Sequence, residues 1–70
     1  MSANETKIIV TVYWKEYTEL STQFEADPDY KYQGYRISED GKFYYIYTVD
    51  GKASIPVGNV QYVEEKIISV

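Results

Sequence analysis

Residues 35–55, YRISEDGKFYYIYTVDGKASI, decide the fold. Two Asp-Gly pairs, Asp40-Gly41 and Asp50-Gly51, each stand between runs of β-branched and aromatic residues, the strongest short-range signal for a β-hairpin. Two hairpins that share the run 43–48 make a three-stranded antiparallel meander. With two-residue type I′ turns, the numbers of cross-strand partners sum to 81 in the first hairpin and 101 in the second. Tyr35, Ile37, Tyr44, Ile46 and Ile55 then share one side of the sheet, and Arg36, Phe43, Tyr45 and Tyr47 share the other. A three-residue loop with a bulge at either turn would exchange these sets locally.

Upstream, Lys7 to Trp14 alternates Ile8, Val10, Val12 and Trp14 with Ile9, Thr11, Tyr13 and Lys15, the period of a β-strand rich in β-branched residues. The connection from Glu16 to Asp29 holds five carboxylates, Glu16, Glu19, Glu25, Asp27 and Asp29, and no basic residue, and ends in the turn signal Asp27-Pro28-Asp29. Tyr17, Leu20 and Phe24 lie at helical spacing inside it. A short helix over residues 16–25 and a folded-back loop are both open. Downstream, Ile55-Pro56 ends a strand, Gly58-Asn59 supplies a tight turn, and the chain restarts as a strand at Val60.

The expected class is all-β: a small five-stranded SH3-like barrel or a strongly bent antiparallel meander, with room for one short helix between strands 1 and 2. A long first connection, a meander, a brief turn and a last strand that closes on the first carry this resemblance, which is to an architecture. The acidic-aromatic opening and the tryptophan pair of signalling SH3 domains are missing, so proline-rich ligands are not implied. Residues 1–6 read as a disordered N-terminal tail and 7–70 as a single domain, since a chain of 70 residues supports only one core. The core set is Ile8, Val10, Val12, Ile37, Ile46, Ile55 and Val60.

Composition narrows the function. The chain has no cysteine and no histidine, which removes disulfide staples, zinc-thiolate sites and the commonest general base, and suits a reducing cytoplasm. Its opening is polar, and the apolar run 8–14 is too short for a signal peptide or a membrane span. The formal charge of −4 argues against nucleic acid and for a protein partner with a basic surface. Asp27, Asp29 and Glu25 lack the spacing and glycine of an EF-hand loop, and Glu39-Asp40 and Glu64-Glu65 sit where nothing would tune them for acid-base chemistry. No metal, no cofactor and no catalytic set is therefore expected.

Nine tyrosines in so short a chain exceed what a small core can hold. Tyr13, Phe43, Tyr45 and Tyr47, with Arg36 beside them, are the candidate binding residues, and Tyr62 is a further neighbour; Glu16, Glu19, Glu25, Asp27 and Asp29 form the candidate acidic rim. The competing explanations are β-propensity for the tyrosines and solubility for the carboxylates. The function that fits is a non-catalytic binding module, of the kind a small bacterial or phage-encoded inhibitor of a host macromolecule would be. The alternative is a protein that sequesters a small nucleotide-derived ligand, with tyrosines stacking on its ring and Arg36 or lysine holding phosphate. An open sheet leaves an edge, and the apolar tail Ile67-Ile68-Ser69-Val70 makes a homo-oligomer a further expectation.

Overall fold

The computed structural model describes residues 6–29 and 34–69. Strand β1 (Thr6–Trp14) is the centre of a first antiparallel sheet, flanked by β2 (Ser21–Ala26) and β6 (Val60–Ser69). A second antiparallel sheet is the meander β3 (Tyr35–Ile37), β4 (Phe43–Thr48) and β5 (Gly51–Pro56). A single 3-10 turn, Val57–Asn59, links β5 to β6.

Among the described residues, six strands thus form two three-stranded sheets and no closed barrel, where five strands and a barrel or bent meander were expected. The added strand is β2. Residues 16–25 form no helix: Leu20 N–H donates to Tyr17 C=O at 2.9 Å in a tight turn, and Ser21–Ala26 then pairs along β1. The physical reason is a period of two that outweighs the helical spacing. Thr22, Phe24 and Ala26 alternate with Ser21, Gln23 and Glu25, and pairing with β1 puts the first set opposite Val12, Val10 and Ile8. Tyr17 and Leu20, which a helix would have packed inward, are 62% and 59% exposed.

The last strand returns to the first as expected, from Thr6 opposite Ser69 to Tyr13 opposite Tyr62, with a bulge before Trp14 meets Val60. Thr6 belongs to β1 and not to a tail, while residues 1–5 lie outside the described residues. One backbone bond ties the two sheets, Asp27 N–H to Tyr47 C=O (2.7 Å), while Lys15 N–H to Asn59 C=O (3.0 Å) extends the β1–β6 pairing and Val57 N–H to Lys42 C=O (2.8 Å) the β4–β5 pairing.

The core lies between the two sheets. Ile8, Val10 and Val12 of β1, Ala26, Ile46, Ile55 and Val60 are buried, with Trp14, Phe24, Tyr35, Tyr44, Ala53 and Val63 packed around them. Tyr35 and Tyr44 meet edge to face at 5.7 Å, a favoured contact between ring quadrupoles. Trp14 keeps its indole N–H satisfied by donating to Thr22 Oγ1 at 3.0 Å. Ile37, expected in the core, is 50% exposed because the three-residue β3 ends there, at the sheet margin.

The hairpins correct the expected turns without inverting the faces. In the first, Tyr35 faces Ile46 and Ile37 faces Tyr44 as expected, but the loop is Glu39–Lys42 and not Asp40-Gly41 alone. In the second, Tyr44 faces Ile55 and Ile46 faces Ala53, so partners sum to 99 and not 101. Type I′ turns need positive φ at both central residues, and among the described residues no residue other than glycine has it. The turn therefore closes over Val49-Asp50. A shift of two in the sum preserves parity, which is why Ile46 and Ile55 still point to the same side.

Candidate functional site

Alternation along β4 separates its aromatic residues. Tyr44 and Ile46 turn into the core, so Phe43, Tyr45 and Tyr47 lie on the outer side of the second sheet. Across the strands Arg36 faces Tyr45, Tyr45 faces Ser54, Tyr47 faces Lys52 and Phe43 faces Pro56. Phe43 is 37% exposed, and Arg36, Tyr45 and Tyr47 are half-buried. Lys52 Nζ sits 4.4 Å from the centroid of Tyr45, a cation–π contact that keeps the ring face of Tyr45 capped by a charge. Lysine 52 was not singled out from sequence, although its place after Asp50-Gly51 puts it beside this face.

At one end of the face Arg36, Ser38, Glu39, Asp40 and Tyr45 surround a shallow hollow of about 460 Å³. The β3–β4 loop that forms its wall is held from within. Ser38 is buried, and its hydroxyl donates to Asp40 Oδ1 (2.5 Å) while accepting the amides of Lys42 and Phe43 (3.1 Å each). Asp40 Oδ1 also accepts the Lys42 amide at 3.0 Å, and Gly41 N–H closes the turn onto Ser38 C=O at 2.9 Å. The Ser38 hydroxyl, and then the Lys42 amide, hold the Asp40 carboxyl below its ordinary pKa. The hollow is therefore lined by both a guanidinium and a fixed carboxylate.

Tyr13 belongs to a different surface. It stacks on Tyr62 (4.4 Å between centroids, 21° between planes) on the outer side of the first sheet, where its hydroxyl donates to Glu64 Oε1 at 3.2 Å. Desolvation first, and then the Glu64 charge, raise the pKa of that hydroxyl. The structure thus brings Phe43, Tyr45, Tyr47 and Arg36 together and places Tyr13 with Tyr62.

The five carboxylates of the expected rim are also divided. Glu25 lies on the outer side of the first sheet opposite Ile9, and Glu19 sits in the exposed turn between Tyr17 and Leu20. Glu16 lines an apolar cleft of about 370 Å³ with Trp14, Tyr17, Leu20, Gly58 and Asn59, a feature sequence reasoning missed. Its signal was the pair of apolar residues Tyr17 and Leu20 in the otherwise polar stretch 15–23. Asp27 is held against β4 through its amide on Tyr47, and its Oδ1 accepts the Asp29 amide at 2.9 Å. Asp27 thus lies beside the Tyr47 backbone, with Asp29 next to it. Among the described residues no group of three or more Asp or Glu is placed to hold a metal ion. No family model, curated protein or solved structure matches the chain.

Proposed function

We propose that the protein is a non-catalytic binding module that docks a macromolecular partner on the outer face of the β3-β4-β5 sheet. The observation that carries this is the division of β4: Tyr44 and Ile46 serve the core, which leaves Phe43, Tyr45 and Tyr47 together on the outer side of the sheet. Tyrosine offers a large rigid apolar area with a hydroxyl at low entropic cost, and arginine beside it supplies directed hydrogen bonds. The strand orders β2-β1-β6 and β3-β4-β5, with the last strand on the first, support an SH3-like arrangement as the scaffold.

Charge on the face favours a protein over a phosphate-bearing ligand. Arg36 and Lys52 are cationic, but Glu39 and Asp40 line the same hollow as Arg36 and would repel a phosphate placed there. A patch of both signs suits a partner surface of both signs. The basic partner inferred from net charge is best met at the Tyr47 end, where Asp27 and Asp29 lie.

The test compares capture of host proteins by the wild type and by Tyr45→Ser/Tyr47→Ser, with thermal melts of both. A partner held by the wild type and lost by the folded double variant supports the docking face. Equal capture by both, or a double variant that is largely unfolded but whose remaining folded fraction still binds, overturns it.

A further inference from the structure

We infer that the outer edge of β6 pairs with β6 of a second copy of this chain, antiparallel about a two-fold axis midway between the two copies of Glu65. This rests on the first sheet and is independent of the docking face proposed on the second. β6 is a ten-residue edge strand, and among the described residues no strand pairs along its free side. Such an edge presents a row of unpaired N–H and C=O groups, which proteins ordinarily cover, shorten or interrupt. Here the bulge lies at the start of β6, where Gln61 is the extra residue between the Trp14–Val60 and Tyr13–Tyr62 pairs, and it leaves residues 62–69 regular.

The sequence of the edge is self-complementary in one register. A two-fold antiparallel pair keeps both cores on one side only when the partner numbers sum to an even value. At a sum of 130, Glu64 meets Lys66 twice, Val63 meets Ile67 twice, and Tyr62 meets Ile68 twice. A sum of 128 sets Glu64 against itself and Val63 against Glu65, and a sum of 132 sets Lys66 against itself and Glu65 against Ile67. The central register alone matches charge with opposite charge and apolar with apolar.

Exposure agrees with the same pairing. Ile67 lies opposite Ile8, on the core side of the sheet, yet is 65% exposed, and Ile68 and Tyr62 on the outer side are 38% and 50% exposed. Pairing would set Val63 of the second copy against Ile67, and Tyr62 of the second copy against Ile68. The one like-charged pair is Glu65 with itself, and its carboxylate is turned into its own subunit: Glu65 Oε2 occupies the space that a side chain at Gly34 would need. The product is a six-stranded sheet, β2-β1-β6 continued into its symmetry mate.

Sedimentation and cross-linking test this. The wild type should sediment as a dimer, and Glu64→Lys alone or Lys66→Glu alone should be folded monomers by melting and mass. A 1:1 mixture of the two variants should return to twice the monomer mass, because each introduced charge then meets its opposite and the native Lys66 of one chain meets the native Glu64 of the other. The cysteine-free chain also permits single-cysteine mapping: Glu65→Cys should cross-link under mild oxidation, whereas Glu64→Cys and Lys66→Cys should not, since only residues directly opposite come within disulfide reach. A monomeric wild type at every concentration, a mixture that stays monomeric, or fastest cross-linking at another position would each overturn the register.

Discussion

Ile46 is fully buried at the centre of β4, between Tyr35 on one neighbour and Ala53 on the other, and the sharpest test of the fold is to shorten it. Ile46→Ala removes buried carbons worth roughly 0.8 kcal/mol each, about 2.4 kcal/mol of transfer free energy in all. The space left behind cannot collapse fully, because Val10 and Val12 opposite are held in β1 ladders on both sides. That residual cavity adds about 1 kcal/mol, giving a total near 3 kcal/mol, well inside the range measured for such truncations. In a domain of this size the melting temperature should fall by roughly 12–24 °C. Fluorescence of the single tryptophan, Trp14, which packs on the same core, reports the transition. Tyr45→Ala changes the neighbouring residue on the opposite side of the strand and, being half-exposed, should cost less than half as much. If Tyr45→Ala lowers the melting temperature more than Ile46→Ala does, β4 faces the other way, and both the core and the docking surface described above are wrong.

Three further outcomes are expected. Ser38→Ala strips a buried hydroxyl that serves two amides and Asp40, and should cost about 1–3 kcal/mol with faster amide exchange at Lys42 and Phe43. Gly41 has φ of 73° with open space around its Cα, so Gly41→Ala should cost about 1–2 kcal/mol from backbone strain alone, and Gly41→Asn should cost less in the same melts. Because folding lowers the Asp40 pKa, its ionised form stabilises the native state above the unfolded-state value, and this contribution is lost as pH falls through the lowered folded-state value. Acid titration of stability should therefore show a shallower low-pH decline in Asp40→Asn than in the wild type, and equal declines would remove Asp40 from the account.

Much of this fold is legible in sequence because a strand's period is an even number. Ile8, Val10 and Val12 could be assigned to one side of β1 with no knowledge of its partners, and the second hairpin kept Ile46 and Ile55 on one side although its turn closes a residue earlier. Errors arose where periodicities compete or where an element ends. Tyr17, Leu20 and Phe24 mimic a helix face, yet only Phe24 packs on the core, as part of the alternation Thr22, Phe24, Ala26. Ile37 has the right parity but stands at the end of a three-residue strand. The site was legible in the same partial way. Parity grouped Phe43, Tyr45, Tyr47 and Arg36, but no local pattern reveals that Tyr13 belongs to the outer side of the other sheet. The acidic residues fall within one stretch of the chain, 16–29, and are dispersed in space, because a turn and a strand intervene among them.

The strand at the centre of the meander has a further consequence for how the chain reaches its structure. In Phe43-Tyr44-Tyr45-Ile46-Tyr47-Thr48 the outward residues are at least as apolar as the inward ones, so β4 by itself has no preferred side. Its neighbour β5 does have one: Ala53 and Ile55 alternate with Lys52 and Ser54. The orientation of β4 is thus inherited through pairing with β5, and is confirmed only when the β-branched residues of β1 close over Ile46. A nascent chain that has emerged only as far as Thr48 would lack this instruction, and its first hairpin would sample both facings until the next seven residues arrive.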